Sequence, residues 1–294
     1  MNKDESKNLI IGLLAGMTLE QAKPFFLSLE KSGYRGDVAM VVCDLDTATQ
    51  AFLRARGVQM IPFQKAFFLK GFTAAAARLP RFFLPRAKRD LFDRQLAPAY
   101  MHPHCARHFF YESFLQECGA DYRHVMLTDV SDVLFQADPF AFEMPDGLSV
   151  FVEDRSQTIG SSNHNARAVL RGFGRAVLQE LSGQPIVCAG TTIGTGAAIR
   201  EHLARVTQIL LEKKERKTID QALHNFLVYK NPPAKLRCFE NFAGPVLTMT
   251  AVDPARLKFN SHGHILNADG SVINTLHQYD RHPALAQKLL QTLA

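Results

Sequence analysis

Cysteine is scarce in this sequence and nowhere paired. The five residues, Cys43, Cys105, Cys118, Cys188 and Cys238, stand far apart with no C-x-x-C spacing. That pattern argues against a disulfide framework and a thiolate zinc site, and for reduced thiols in a cytoplasmic setting. Long apolar runs are lacking as well. The stretch at residues 9–17 is too short to span a bilayer, and the residues before it are acidic as well as basic. Neither a transmembrane helix nor a signal peptide is expected. There is no P-loop and no dinucleotide fingerprint, which excludes a Walker-type nucleotide site. Internal repeats and low-complexity tracts are absent too.

What is present is the composition of an ordinary globular protein. The chain has 294 residues, 47% hydrophobic and 21% charged, enough for one large α/β domain, the reading taken over residues 1–294, or for two small ones. The 34 basic residues exceed the 28 acidic ones, leaving a net charge of +6. Such a surplus suits anionic partners such as nucleotides, phospholipid headgroups or phosphorylated acceptors, without choosing among them.

The N-terminal half, residues 9–140, alternates strand and helix. Apolar runs at residues 9–14, 38–43 and 58–62 read as buried strands, and periodic segments at 19–32 and 47–56 as the helices between them. This order predicts a parallel sheet with right-handed crossovers. Ligands of such sheets collect at the carboxyl ends of the strands, here at Ala15-Gly16 and Asp44. Residues 124–127 form another buried strand, and Asp129-Val-Ser-Asp132 follows it. Interior strands carry little charge unless it is paired or ligating. Side chains three apart on an extended chain face opposite ways, so both aspartates reach one ion only if the chain bends between them. Hard oxygen ligands at such a bend suit Mg2+ or Mn2+; the plainer alternative is a polar turn with an aspartate cap.

Residues 64–94 differ in character. Eight basic side chains, from Lys65 to Arg94, interleave with six phenylalanines. This pattern fits a helical insertion resting on an anionic membrane surface, peripheral at the inner face, or one that packs its phenylalanines on the domain and leaves its charges in water. Nucleic acid is not expected, because no aromatic-rich strand motif accompanies the charge. Arg107, on a following helix, reads as a solvated charge or as a guanidinium aimed at a diphosphate.

In the second half, residues 141–294, Gly190 and Thr191 belong to a run of small and hydroxyl residues ahead of a helix at 197–213. That run reads either as a ligand-binding loop favoured by the helix N-terminus or as a simple strand-to-helix turn. Asp220 and Gln221 open another helix. His277, in His277-Gln-Tyr-Asp-Arg-His282, offers a neutral nitrogen ligand to a metal held by aspartates.

Together these residues resemble the GT-A class of nucleotide-sugar glycosyltransferases over residues 9–283. Ser131-Asp-Val-Leu-Phe-Gln-Ala-Asp-Pro-Phe140 is similar to the S-D-V-x-F-Q-x-D-P-F signature of a bacterial and plant group whose members also carry a terminal H-Q-Y-D-R-H segment. Asp220-Gln221 with Asn225 resembles the D-Q-x-x-x-N helix start of the retaining family that includes glycogenin and bacterial galactosyltransferases. The K-P-W element of that family is absent, and the aspartates here are separated by two residues where the usual motif has one.

The resemblance implies a Rossmann-like, mainly parallel GT-A sheet flanked by helices. It implies a divalent ion, Mn2+ or Mg2+, on Asp129, Asp132 and His277, with Asp132 the firmer ligand. It further implies a nucleoside diphosphate sugar, UDP by analogy, contacted by Ala15, Gly16, Asp44, Arg107, Asp129, Gly190 and Thr191. Asp220 and Gln221 would lie at the reacting centre. For an inverting reaction Asp154, Asp220 and Asp280 are the candidate bases. The expected activity is hexosyl transfer to a hydroxyl of a glycan or lipid-linked acceptor in surface polysaccharide or glycolipid synthesis. A non-catalytic nucleotide-sugar or glycan-binding protein on the same fold is the alternative. A phosphohydrolase is disfavoured, because the first strand lacks a D-x-D-x-T/V nucleophile motif.

Overall fold

A computed structural model describes residues 7–63, 86–118 and 122–293. The apolar runs form strands β1 (Leu9–Ala15), β2 (Asp37–Cys43), β3 (Gln59–Pro62) and β4 (His124–Thr128). These lie parallel in the order β3-β2-β1-β4. The crossover helices start where the sequence supplies caps. Thr18 and Gln21 form a reciprocal capping box at α1 (Leu19–Lys31), and the Asp46 side chain accepts from the Thr49 amide at α2 (Thr47–Ala55).

Beyond β4 the sheet continues through β7 (Val187–Thr195), β6 (Leu148–Val152) and β8 (Leu236–Phe239). β7 runs antiparallel to both β4 and β6, whereas β6 and β8 are parallel. β7 is therefore the seam between two parallel blocks of a mainly parallel seven-stranded sheet. Helices α3 (Arg86–Tyr100), α4 (Pro103–Glu117), α6 (Gly196–Lys213) and α7 (Asp220–Lys230) belong to one side. There Cys105, Phe109, Leu203, Val206 and Leu223 pack on Ile11, Val41 and Val125. On the other side α1 buries Phe25, Phe26 and Leu29 against Ile10, Met40 and Met126. Helix α5 (Asn163–Leu181) breaks at Gly174, whose φ of 85 suits glycine.

A second, three-stranded sheet, β5 (Val133–Phe135), β10 (Thr275–His277) and β9 (Val246–Thr248), sits beside the first. Its core of Leu134, Leu247, Ile273 and Leu276 is closed by α8 (Pro283–Gln291) through Ala286 and Leu289. This small sheet carries His277 to β4. His277 pairs with Val133, next to Asp132, and the Gln278 amide donates to the Asp132 carbonyl at 2.7 Å.

Two sequence expectations meet the fold here. Residues 64–85, most of the basic phenylalanine-rich segment, lie outside the described residues, while residues from 86 on open α3. Arg94, the last base of that segment, is tied inward, to Glu112 at 2.5 Å and to Thr207 Oγ1 at 3.1 Å. Residues 189–195, read as a loop or turn, are instead strand β7. The helix that follows starts at the far end of this strand, where Thr195 faces His124, so its N-terminus is not beside Gly190. No described helix is long and apolar enough to cross a membrane.

Candidate metal and sugar-nucleotide site

A cleft of about 600 Å³ opens at the carboxyl ends of β1 and β4 and the start of β7. The bend after β4 places both aspartates in it. Val130 is 3% exposed and packs into the core, with its Cγ2 beside the Gly12 backbone. With Val130 pinned inward and Ser131 exposed, Asp129 and Asp132 turn to the same side. The two-residue separation is thus accommodated by one buried peg. The strand period would have kept the pair apart; the bend brings it together.

His277 comes from β10, and its Nε2 lies 3.7 Å from Asp129 Oδ2 and 3.7 Å from Asp132 Oδ1. One ligand atom from each residue lies within 4.8 Å of the others, and among the described residues this is the only such grouping. Two of these atoms, Asp132 Oδ1 and His277 Nε2, are buried without a hydrogen-bond partner. Buried polar atoms are seldom left so. Four carboxylates in the cleft, Asp129, Asp132, Glu153 and Asp220, face two guanidiniums, Arg107 and Arg281. The surplus of negative charge, the two orphaned atoms and the oxygen-oxygen-nitrogen donor set all fit Mn2+ or Mg2+.

The same surplus shifts the ionisable groups. Burial pushes Asp132 up, helped by Asp129 and opposed by His277. Burial works against a charged Asp129 too, yet the Arg107 guanidinium and His277 hold its carboxyl far below the usual range. His277 shows the reverse balance. Burial favours its neutral form, but Cys188, Asp129 and Asp132 raise its pKa well above the ordinary value.

Arg107 is 4% exposed and spans the two halves of the site. Its guanidinium donates to Asp129 Oδ1 and, at 3.5 Å, to Asp220 Oδ2. It is therefore committed to carboxylates as well as facing the cleft. Asp220, at the start of α7, also accepts from Thr218 Oγ1 at 2.6 Å. Burial would raise its pKa, but Arg107 and His104 bring it below normal. Gln221 lines the cleft, and both ends of its amide are used: Oε1 accepts from the Ala189 amide and Nε2 donates to the Val187 carbonyl, each at 2.8 Å. Asn225 pairs with both the amide and the carbonyl of Val187 at 2.9 Å. Together they clamp β7 where its register with β6 shifts by a bulge.

Gly190 is required for a specific reason. A Cβ there would stand 2.5 Å from His277 Nε2 and 2.7 Å from Asp129 Oδ2, so the glycine admits the ligand side chains themselves. Its carbonyl accepts from the Asp129 amide at 2.7 Å. Thr191, one residue on, is fully buried and lies outside the cleft lining. Ala15 lines the cleft, beside Leu13 and Met17; Gly16 and the exposed Asp44 are on the same rim but do not line it. Asp154 and Asp280 also lie outside the lining. Asp154 is paired with Arg256 and Asp280 with Arg281 at 3.1 Å. Arg281 is in the cleft, half-exposed, 3.7 Å from Asp132 Oδ2.

Among the cleft residues that the sequence did not single out are His102, His104, His164, Glu153 and Cys188. Glu153 follows the wholly buried strand β6 as Asp129 follows β4, and that pattern could have marked it. Burial raises its pKa. Cys188 carries no motif.

No family model and no curated protein matches this chain. Solved structures do. The chain is similar to the galactosyltransferase LgtC in complex with donor and acceptor sugar analogues, at 13% identity and a TM-score of 0.49, over 97% of this chain and 95% of that one. An active-site mutant of LgtC is similar at 13% identity and a TM-score of 0.50, over 97% of this chain and 94% of that one. The latter likeness shows that the GT-A fold is shared.

Proposed function

We propose that this chain is a metal-dependent glycosyltransferase that moves a hexosyl group from a nucleoside diphosphate sugar, UDP-linked by analogy, to an acceptor hydroxyl. The observation that carries this reading is the convergence of Asp129, Asp132 and His277, with two orphaned ligand atoms, at the carboxyl-end rim of the sheet. In such a reaction the bond from the anomeric carbon to the diphosphate oxygen breaks. The acceptor oxygen bonds to that carbon and passes its proton to the departing diphosphate or to a carboxylate of the cleft.

Asp129, through Oδ2, Asp132 and His277 would hold Mn2+ or Mg2+, which when bound supplies charge neutralisation at the departing diphosphate. Arg281, half-exposed in the cleft, would bind phosphate oxygens from the other side. Asp220, kept ionised by Arg107 and His104, would face the positive charge that develops at the anomeric carbon. Gln221 is best understood as a positioning residue, since its amide is spent on β7. The acceptor is a glycan or a lipid-linked sugar of surface polysaccharide or glycolipid synthesis, met at the inner face of the membrane through the basic segment at 64–94.

The test is to incubate the protein with UDP-, GDP- and other nucleotide sugars, with and without Mn2+, and measure nucleotide release. Mn2+-dependent hydrolysis of one donor is expected. Binding of a donor without turnover, with or without acceptor glycans, would favour the non-catalytic alternative, and neither binding nor turnover would sink both. Sedimentation with anionic liposomes, before and after deletion of part of residues 64–94, ahead of the inward-facing Arg94, checks the membrane proposal; equal binding of both forms would refute it.

A further inference from the structure

His277 is gripped from behind by sulfur. Its Nε2 faces the two aspartates, and its Nδ1 lies 3.2 Å from Cys188 Sγ. An imidazole that presents a lone pair from Nε2 to a cation must carry its proton on Nδ1. That proton needs an acceptor, and in metal sites the acceptor is usually a carboxylate, a backbone carbonyl or water. Here it is a thiol. Cys188 is 2% exposed and His277 1%, so little water competes for the contact.

An acidic side chain shares the face of the thiol. Phe151 faces Cys188 across the β6–β7 pair, so Glu153, two residues further along β6, projects from the same face on the diagonal. Glu153 and Cys188 both line the cleft. Gly190, on the same strand as Cys188, leaves room for the ring to lie against β7.

We propose that Cys188 is the positioning residue of the cation site: it accepts the Nδ1–H of His277 and thereby holds the imidazole in the one tautomer and orientation that turns Nε2 to the ion. The inference rests on the metal reading of Asp129, Asp132 and His277. It adds a thiol–imidazole contact behind the third ligand, through which Cys188 would act on the ion only by way of His277.

The experiment is a calorimetric titration of the metal-free full chain with Mn2+, paired with the electron paramagnetic resonance spectrum of the bound ion. Wild type, His277→Ala, Cys188→Ala and Cys188→Ser are compared, and thermal melts check that each is folded. Cys188→Ala should weaken Mn2+ binding about 10- to 100-fold, the usual range for loss of an outer partner, and alter the spectrum. Cys188→Ser, whose hydroxyl can both accept and donate, should recover most of the affinity. A role limited to packing predicts no such recovery, because serine fills the site no better than alanine keeps it apolar. Should Cys188→Ala not fold, nitrogen-15 spectra of His277 in the Mg2+-loaded wild type and Cys188→Ser decide. A proton on Nδ1, protected from exchange in both, is expected. Alanine binding Mn2+ within twofold of wild type, serine no better than alanine, or a proton found on Nε2 would each overturn the proposal while leaving the metal site standing. A wild type that binds no Mn2+, or a His277→Ala variant that binds it unchanged, would instead overturn the metal reading itself.

Discussion

Two clusters of buried ionisable groups lie on either side of Arg107, and they behave oppositely. In the cleft, His277 is drawn toward its charged form by carboxylates and Cys188. Behind Arg107, among α4, α6 and α7, His108, His202 and His224 are driven to neutrality. Burial, then Arg107, pushes His108 down to about 3. Burial, with Arg107 adding and Asp220 opposing, takes His224 to about 4. His202 falls well below its ordinary value through burial and its histidine neighbours. The cleft offers about 600 Å³, whereas the space among these histidines is about 10 Å³, room for a single water at most. Burial alone therefore does not mark a site in this molecule. A site is marked where burial is opposed by uncompensated charge and where ligand atoms converge on open volume.

The sharpest way to break this contrast is at the proposed metal ligands. Asp132→Ala should lower Mn2+-dependent donor turnover by at least about 100-fold, with the melting temperature unchanged or raised, since a buried carboxylate leaves an acidic cluster. Turnover near the wild-type level would remove Asp132 from the site.

Arg107→Met tests the wall between the clusters. Removing the guanidinium leaves Asp129 and Asp220 without their shared partner, and a stability loss of about 3–5 kcal/mol is expected from denaturant unfolding. A loss below about 1 kcal/mol would mean that the wall is not electrostatic.

Gly190→Ala perturbs the cleft without changing its charge. The added methyl meets His277 and Asp129 at less than 3 Å, so a cost of about 1–3 kcal/mol and weaker Mn2+ binding are expected together. Loss of stability with intact Mn2+ affinity would show that the ring can shift freely.

The smallest effect lies in the histidine cluster. Its folded pKa values are below the unfolded value near 6.5, so the unfolded chain binds more protons between these limits. Stability present above about pH 6.5 is therefore lost as pH falls toward the folded values, about 4 for His224 and about 3 for His108. The loss is on the order of 1–2 kcal/mol per histidine by pH 5. His224→Gln should flatten this acid limb in unfolding curves taken at pH 5 to 7; an unchanged slope would show that His224 is not buried neutral.

The parts of the molecule legible in the sequence are those where one local rule dominates. β1, β2 and β4 are continuous apolar runs, and the helices after β1 and β2 begin at capping residues, so the parallel block and its ligand rim could be read directly. β7 could not. Ala189-Gly-Thr-Thr192 lacks an apolar run because its residues serve the site and a bulge, and small polar residues ahead of a helix look like a turn. The bend at Asp129–Asp132 was legible only as a requirement; its cause, Val130 buried against Gly12, depends on packing. The commitment of Arg107 to two aspartates, the exclusion of Asp44 from the cleft and the contact of Cys188 with His277 all join residues distant in sequence. No local pattern encodes them.

The placement of His277 on β10 also has a consequence in time. A chain made from its N-terminus presents Asp129 and Asp132 well before the strand that brings the imidazole, and β10 pairs only with β5 and β9. An ion held by all three residues would therefore bind only once β10 is in place. It would act late, as a fastener between the two sheets, and its removal should loosen the small sheet before the large one.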